Sequence, residues 1–414
     1  MARRQDDGMK YPRAFLVLCA LGVLVILGSD LATPMIPLFA EELGASALEV
    51  GFIRSAYFMT RIFIELPVGL ISDRIGRRKP IVLGLFLSAL SAVICGSSPN
   101  IGQLIVGRAI WGVGAALYFA SSTVLVLDMF QEDRGKALGI YQGVEFAGRF
   151  AGAPLGGALS EYFGFRVAFY ATGAALLGGS ALAMASKEFR DLDLGKTKSS
   201  HTRLLTSISL LRTWPIAVAS MVGFLRTFNM QGITQTLIPL FQSGVLGFGP
   251  FDIGLLATTR TIGVVAMTLL GGYLTDRVGK KPVLITGIAL SAVANACYLH
   301  YLSYLGQAVV GVVSGFGAGM MTVVLPIIVS EAVDASARGA AMGAYRTVFD
   351  IGSVTGPIVA TMGLANIEDL EVSSVQLRFY VFAAVLAIGI PLVLTLRGPS
   401  RAADDPRRAL ASEA

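Results

Sequence analysis

Residues 69–80 read GLISDRIGRRKP, and residues 272–282 repeat the pattern as GYLTDRVGKKP. The interval is 203 residues, and at the same interval Gly112 and Gly114 match Gly315 and Gly317. Further matches at an interval of 204 residues join Arg134 to Arg338, Tyr141 to Tyr345, Gly148 to Gly352, and Gly152 to Gly356. The sequence therefore predicts two copies of one structural unit in a single chain.

The composition places both copies in a lipid bilayer. Charged residues make up 14% of the 414 residues and hydrophobic residues 54%, and the mean hydropathy is +0.69. Soluble chains carry about 25% charged residues, and disordered chains are poor in apolar ones. We therefore predict an integral membrane protein, with the bilayer as its main partner.

The apolar runs are the right length to cross a membrane, which takes roughly 20 residues per helix. Twelve such runs, spans 1–12, occur at 14–38, 49–71, 80–98, 102–127, 135–159, 166–186, 214–241, 251–274, 282–301, 304–330, 339–363 and 377–396. The predicted fold class is all-α. Because each copy holds an even number of spans, the two copies are expected to be parallel.

The basic residues predict the orientation of the chain. Of the 33 Lys and Arg residues, 24 fall in termini and loops on one side of this topology, and only Arg166 and Arg378 fall on the other. The positive side of a membrane protein is normally cytoplasmic, so both termini are predicted to be cytoplasmic, in the plasma membrane. This placement accounts for the net charge of +6 without a nucleic-acid partner.

A polar linker separates the two copies. The stretch from Lys187 to Arg212 is the one long hydrophilic segment between the termini. The predicted domains are an N-terminal six-helix bundle (1–186), a cytoplasmic linker (187–213), and a C-terminal six-helix bundle with a short tail (214–414).

The repeated loop carries a family resemblance. The pattern G-x-x-x-D-R-x-G-R-R between spans 2 and 3 resembles the signature loop of the major facilitator superfamily, and it is repeated between spans 8 and 9. In span 4, the series Leu104, Arg108, Gly112 and Gly114 is similar to a second motif of that superfamily. The resemblance implies two helical bundles around a central cavity that opens alternately to each side.

Spans 5 and 11 carry a third pattern, similar to the antiporter motif G-x-x-x-G-P-x-x-G-G. In span 11 its proline is in register, whereas in span 5 it is displaced by one residue. We expect these positions to pack helices closely and to let opposite halves rock against each other. They are Gly148, Gly152, Pro154, Gly156, Gly352, Gly356 and Pro357. The chain looks most like the drug:proton antiporter branch.

The repeated loops are predicted to form cytoplasmic latches between the halves. In the family arrangement, Asp73 meets the start of span 11 and Asp276 meets the start of span 5, where helix N-termini attract negative charge. The residues of this expected latch are Gly69, Asp73, Arg74, Gly76, Arg77, Gly272, Asp276, Arg277 and Gly279. The alternative is that both loops are solvated turns.

Ionisable residues inside spans are costly and mark functional sites by default. Three pairs at i,i+4 spacing are positioned to pair on their own helices: Arg61 with Glu65, Glu145 with Arg149, and Arg346 with Asp350. Each pair is either a structural ion pair or part of the cavity. The substrate-cavity candidates are Arg61, Glu65, Arg149, Tyr141, Arg226, Arg260 and Arg346.

Asp30 and Arg108 lack an opposite charge within one turn of their own helix. Both fall in the external half of the first bundle, where we expect them to pair with each other. Our hypothesis is that Asp30 carries the coupling proton and that Arg108 modulates it; the alternative is a static pair between spans 1 and 4. Glu145 and Asp350 are further proton-coupling candidates.

Three functions compete. The spans 5 and 11 motifs favour a proton-coupled antiporter that exports hydrophobic or amphipathic small molecules. The excess of arginine within the spans favours a proton-coupled symporter that imports an organic anion or another nutrient. A receptor or channel explains the duplicated loops poorly.

An enzyme or an ATP-driven pump is not expected. The sequence shows no nucleophile–base arrangement, metal-ligand spacing or G-x-x-x-x-G-K-[ST] loop. We predict no cofactor, the proton as coupling ion, no metal site and a monomeric protein.

Overall fold

The twelve predicted spans form helices in the computed structural model, which describes residues 13–130, 134–187, 209–334, 337–364 and 371–396; the side chains of residues 66, 67, 69–75, 134 and 135 are excluded. The helices are α1 (Arg13–Ala32), α2 (Ala47–Ile75), α3 (Arg78–Gly96), α4 (Ile101–Met129), α5 (Arg134–Phe163), α6 (Phe165–Ala185), α7 (Trp214–Asn229), α8 (Pro250–Val278), α9 (Lys280–Cys297), α10 (Tyr304–Glu331), α11 (Arg338–Thr361) and α12 (Val372–Ala387). No strand occurs in the described ranges. The predicted fold class is therefore confirmed, while the linker lies largely outside these ranges and the domain boundaries stay predictions.

Two helices are broken where they line the centre of the molecule. α1 passes through a 3-10 turn (Thr33–Met35), which contains Pro34, into the short helix Ile36–Glu42. α7 continues as a π-helix (Met230–Leu237), one turn (Ile238–Leu240) and a second π-helix (Phe241–Val245). Proline removes a backbone donor, and π-helical turns are frequent at functional sites. α12 likewise continues, through Gly389–Leu394.

Glycine ends the helix at both copies of the repeated loop. Gly76 follows α2 with φ 85°, and Gly279 follows α8 with φ 95°. Glycine populates this left-handed region without steric cost. The loop motif therefore fixes a sharp reversal between α2 and α3 and between α8 and α9.

The helices pack as two bundles of the same design. In the first, α4 packs on α2 and α3, and α1 packs on α5 and α6; in the second, α10 packs on α8 and α9, and α7 packs on α11. The close approaches use equivalent residues: Gly114 lies against Ser88 on α3, and Gly317 lies against Ser291 on α9. The duplication read from the sequence is thus a duplication of helix packing.

Seven of the described helices are long and apolar enough to cross a bilayer by composition alone. α2, α5 and α11 are equally long, but they carry ionisable residues along their length. These same three helices, together with α8, contact the opposite bundle. The polar residues therefore concentrate where protein, not lipid, surrounds them.

The two halves meet through α5 with α8 and α2 with α11. We call the face that holds the repeated loops, with Arg77, Arg78, Lys79, Lys280 and Lys281, the basic face, and the other end the opposite face. Close contacts between the halves lie toward the opposite face. There a Cβ placed on Gly157 would lie 3.0 Å from Phe251 Cα, and one on Gly254 would lie 3.2 Å from Pro154 Cα.

Toward the basic face the helices diverge. A Cβ placed on Gly139 or Gly143 of α5, Gly272 of α8, or Gly343 of α11 has no heavy atom within 4 Å. Leu269 of α8 is 77% exposed. The described part of the molecule is therefore closed at the opposite face and open toward the basic face.

Candidate substrate cavity and ion network

A cavity of about 140 Å³ lies between the two halves. The breaks in α1 and α7 place Thr33, Pro34 and the π-helical segments on its wall. Its lining residues are Asp30, Thr33, Pro34, Phe146, Arg149, Ala153, Arg226, Met230, Thr234, Gln235, Ile238, Pro239, Gln242, Ile253, Leu256, Ala257, Arg260, Thr261, Val264, Tyr298, Gln307 and Ala318. An apolar pocket with a few polar groups at a domain interface is the usual form of a small-molecule site.

Three arginines enter this cavity from three helices. Arg149 belongs to α5, Arg226 to α7 and Arg260 to α8. The Arg226 Nη2 atom donates a hydrogen bond of 2.6 Å to Thr322 Oγ1, and its guanidinium lies 5.7 Å from the ring of Phe349. Arg149 lies 6.0 Å from the ring of Phe146. The substrate-cavity candidates Arg149, Arg226 and Arg260 thus line one space.

Asp30 supplies the carboxylate of the cavity lining. It sits on the last turns of α1, where a Cβ on Gly152 of α5 would lie 2.7 Å from the Asp30 Cβ. Arg149 and Arg54 exert the attractive charges on Asp30. The side chain is therefore placed where its protonation changes the charge of the cavity.

Arg108 lies elsewhere and does not pair with Asp30. Its guanidinium stacks 4.8 Å from the ring of Trp111 and 5.0 Å from the ring of Tyr57, and the residue is buried. Cation–π contact of this kind is the favourable alternative to an ion pair for a buried arginine. Asp30 and Arg108 lie at compatible depths along their helices, as the sequence predicted. Their side chains contact different neighbours, so the predicted pair does not form.

Ion pairs join α2 to α11 across the halves. The Arg61 Nη2 atom lies 3.3 Å from Asp350 Oδ1, and Arg346 Nε lies 3.4 Å from Glu65 Oε1. The same-helix pair Arg61–Glu65 is also present, at 3.5 Å. Arg346 and Asp350, expected to pair with each other, instead each contact α2. The four residues form one network, which we call the inter-half ion network.

Glu145 and Tyr141 lie within the first half, outside the cavity lining. The hydroxyl groups of Tyr141 and Tyr118 are 2.9 Å apart and buried. Glu145 Oε1 is buried without a hydrogen-bond partner among the described residues, and Glu145 makes no ion pair with Arg149 there. The expected i,i+4 pair of span 5 is absent because Arg149 faces the cavity.

Two further contacts between halves were not singled out from the sequence. The buried Arg54 Nη2 donates to Gln231 Oε1 at 2.8 Å, and its Nη1 donates to Thr33 O at 3.3 Å. Ser55 Oγ donates to Val354 O at 2.6 Å. Arg54 was recognisable as a charge in span 2, but its partner Gln231 is uncharged and gives no sequence signal.

A carboxylate from the first half caps α8 at the opposite face. Glu161 Oε2 accepts a hydrogen bond of 2.9 Å from the backbone N–H of Phe251, in the first turn of α8. A helix N-terminus attracts negative charge and presents free N–H groups. Nothing in the span 5 motif marked this residue, although it follows Gly157 by one helical turn.

The residues of the predicted latch occupy the basic face. The Asp73 and Arg74 side chains and the surroundings of Gly69 are not among the described parts of the structure, so that half of the latch stays a prediction. Asp276 is exposed and forms no ion pair or hydrogen bond within the described ranges, and Arg277 lies 4.7 Å from the ring of Tyr273. Gly272 faces open space.

Arg77 extends the first loop inward. Its Nε atom lies 3.6 Å from Asp128 Oδ2 at the end of α4. This contact is within the first half. It therefore does not connect the two halves.

The glycines of spans 5 and 11 pack within each half and not between halves, which corrects part of the expectation. A Cβ on Gly148 would lie 2.7 Å from Val23 O of α1, and one on Gly156 would collide with the backbone of Leu31. Gly352 and Gly356 pack in the same way on α7. The contact with the opposite half comes from the neighbouring helix face, through Gly157, Ala153 and Pro154. Pro154 and Pro357 both lie inside their helices.

Two helical bundles of one design with a charged cavity between them are the architecture of a membrane transporter. The family model of the Major Facilitator Superfamily matches residues 18–256 and 220–413. The chain belongs to this superfamily, and it is a multi-pass membrane transporter and not an enzyme.

The chain is similar in sequence to multidrug resistance proteins and in fold to a nucleoside transporter. The chain is 29% identical to "Multidrug resistance protein 2" of Bacillus subtilis (strain 168) over 291 residues, which cover 68% of the chain and 72% of the relative. It is 24% identical to "Multidrug resistance protein 1" of that organism over 383 residues, which cover 91% of the chain and 94% of the relative. The crystal structure of nucleoside transporter NupG matches with a TM-score of 0.77 at 14% identity, and the match covers 93% of this chain and 100% of the NupG chain.

Proposed function

We propose that this transporter exports hydrophobic or amphipathic small molecules in exchange for protons. The observation that carries this proposal is a cavity between the halves that is sealed at one face and in which Asp30 is the one carboxylate among the described lining residues. The names of the multidrug resistance relatives support export. The motifs of spans 5 and 11 support proton antiport.

The basic face is the cytoplasmic face in this proposal. The positive-inside rule favours this orientation for both termini and the loops. The structure then corresponds to the state that receives substrate from the cytoplasm. Export requires a second state, in which the contacts of α5 with α8 and of α2 with α11 open at the outer face. The transporter works as a monomer in the plasma membrane, because one chain supplies the whole cavity.

Asp30 exchanges the proton. Protonation removes one negative charge beside Arg149 and Arg54, and a change of this size biases which state of the two halves is favoured. In the outward-open state Asp30 takes up a proton, and in the inward-open state it releases the proton to the cytoplasm. Glu145 and Asp350 are the other carboxylates within the described spans that have the depth for such a role.

A second function, import of an organic anion by proton symport, is favoured by one observation. Three arginines line the cavity against one carboxylate. A negatively charged substrate would balance this excess, and the proton would travel with it in the same direction. The two functions therefore differ in the sign of the coupling.

Reconstitution in proteoliposomes tests the proposal. Carboxyfluorescein and ethidium, an anionic and a cationic aromatic dye, would be supplied outside vesicles with an imposed pH gradient. Proton antiport predicts dye accumulation when the interior is acidic, because protons leave as dye enters. Accumulation driven by an acidic exterior would reject antiport and establish symport.

A further inference from the structure

We infer that the cavity recognises the anionic group of an amphipathic substrate, a carboxylate, sulfonate or phosphonate, held between Arg149 of the first half and Arg226 and Arg260 of the second. The inference rests on the proposed function only in taking this cavity as the transport site. It adds the charge of the substrate and the residues that bind it.

The guanidinium groups have hydrogen-bond donors to spare. Arg260 forms no hydrogen bond or ion pair with any described residue, and its Nε atom is buried without a partner. Arg226 uses Nη2 on Thr322, while its Nε atom is also buried and unpartnered. Arginine presents five donors in a planar fork that matches a carboxylate or phosphonate in a bidentate manner. Unused donors of this kind are costly when buried, and an anion satisfies them.

Asp30 and Glu145 both attract Arg149, but no described acid acts in this way on Arg226 or Arg260. Asp30 is the one carboxylate among the lining residues. Glu65 and Asp350 are engaged with Arg346 and Arg61 in the inter-half ion network. Glu145 packs beside Gly22 of α1. The cavity therefore keeps an excess of positive charge at a depth where unpaired charge is expensive.

The remaining lining suits an apolar body attached to the anionic group. Half of the lining residues are apolar, among them Phe146, Met230, Ile238, Ile253, Leu256 and Val264. The polar contributions come from uncharged groups such as Thr234, whose Oγ1 is buried without a partner. This combination favours an aromatic or aliphatic anion over a small inorganic one.

The arginines belong to both halves, so the bound anion would connect them. Arg149 repels Arg226 and Arg260 electrostatically. An anion between them attracts all three arginines, and it stabilises the arrangement in which the halves close around it. A cationic substrate would face the same repulsion as the arginines themselves.

Binding of three matched probes tests the inference. Naphthalene carboxylate, naphthalene carboxamide and naphthylmethylammonium share an apolar ring and differ in charge. Isothermal titration calorimetry measures the binding of each probe to the purified protein in detergent at neutral pH. The carboxylate is expected to bind at least tenfold more tightly than the other two. Equal binding of the three probes, or preference for the cation, would overturn the inference.

Variants of Arg260 separate recognition from folding. Arg260→Gln removes no hydrogen bond to the protein, so the variant should fold while its affinity for naphthalene carboxylate falls about tenfold to a hundredfold. Arg260→Lys keeps the charge and should recover part of that loss. Arg378→Gln, on α12 outside the cavity, is the matched control and should leave the affinity unchanged. An unaltered affinity in Arg260→Gln would contradict the assignment.

Asp30→Asn gives a readout of opposite sign. Removing the negative charge beside Arg149 should tighten binding of the carboxylate probe several-fold and leave the carboxamide unaffected. A weaker affinity for the carboxylate would count against the inference.

The inference and the proposed function fail separately. Selective binding of the carboxylate with accumulation driven by an acidic exterior would refute export and keep the anion site. Selective binding of the cation would refute the anion site, whichever direction of transport is found.

Discussion

Asp350 is 2% exposed, and its charge is balanced by an arginine from the other half of the molecule. A buried carboxylate at this depth is tolerated because Arg61 lies 3.3 Å away. Removing one partner of a buried pair leaves an uncompensated charge, whereas removing both leaves none. The contact therefore makes different predictions for single and double substitutions.

Arg61→Gln is expected to destabilise the protein by about 3 kcal/mol, because the buried Asp350 loses its ion-pair partner. Thermal unfolding of the purified protein in detergent measures this effect. The double variant Arg61→Gln/Asp350→Asn should recover most of the stability. If the double variant is as unstable as the single one, the ion pair is not the cause.

Asp30→Asn is expected to abolish accumulation driven by a pH gradient, because the cavity lining loses its exchangeable proton. The protein should remain folded, since Asp30 makes no ion pair with any described residue. Uptake of dye in proteoliposomes is the measurement. Asp334→Asn, an exposed aspartate at the end of α10, is the control and should transport normally. Gradient-driven uptake by the Asp30 variant would remove Asp30 from the proposal.

The pairing of these charges illustrates what the sequence does and does not predict. Spacing at i,i+4 correctly gave Arg61–Glu65, because both residues lie on one helix face. The same spacing failed for Arg346 and Asp350, because the helix packed against α11 decides which acid lies nearest. Asp30 and Arg108 have compatible depths, yet their directions around the helix axes depend on tertiary packing.

At the scale of single helices, glycine decides how closely α5 approaches α1. Gly148, Gly152 and Gly156 leave room for the α1 backbone, whereas Gly143, on the same helix, faces open space. The first three positions are fixed by contact, and the last is not. The sequence motif indicated close packing, but not which helix would be the partner.

Gly156→Ala is expected to lower the melting temperature by several degrees, because its Cβ collides with the backbone of Leu31. Gly143→Ala is the matched control and should be neutral or stabilising by up to about 1 kcal/mol, since alanine is the better helix former. Thermal unfolding of the two variants side by side checks this. Equal effects would mean that the glycine groove contributes nothing specific.

The sequence predicted the number of helices, but it did not predict where they are broken. The twelve spans were located as runs of bilayer length, although only seven of the described helices are apolar enough to be recognised by composition alone. The π-helical segments of α7 were not predicted, because Gly232, Pro239 and Gly244 are residue types that also occur in regular membrane helices. Their lining residues Thr234, Gln235 and Gln242 are uncharged and so escaped a search based on ionisable groups.

At the scale of the whole molecule, the contacts that close the opposite face include the hydrogen bond between Glu161 and the first turn of α8. This contact has the chemistry predicted for Asp73 and Asp276 at the basic face, a carboxylate against a helix N-terminus of the other half. If both exist, each of the two states is held by the same kind of contact at opposite ends of the molecule.

Glu161→Gln is expected to shift the population toward the state open at the opposite face, because the charge–dipole attraction at α8 is lost. The exposed position limits the effect to about 1 kcal/mol, or roughly fivefold in the population ratio. Pulsed electron paramagnetic resonance reports the shift. It measures distances between spin labels at the opposite-face ends of α5 and α8. Glu42→Gln, an exposed substitution at the same face, should leave the distances unchanged.

The inter-half ion network also bears on how the protein is made. Arg61 and Asp350 are separated by 289 residues, so α2 leaves the ribosome and enters the membrane long before α11 exists. Until then Glu65, one turn along α2, is the counter-ion within reach of Arg61. Glu65 thus acts first as the temporary partner of Arg61 during insertion, and later the Arg61–Glu65 pair becomes part of the inter-half ion network. A truncated chain that ends before the linker should accordingly insert α2 less efficiently when Glu65 is replaced by Gln.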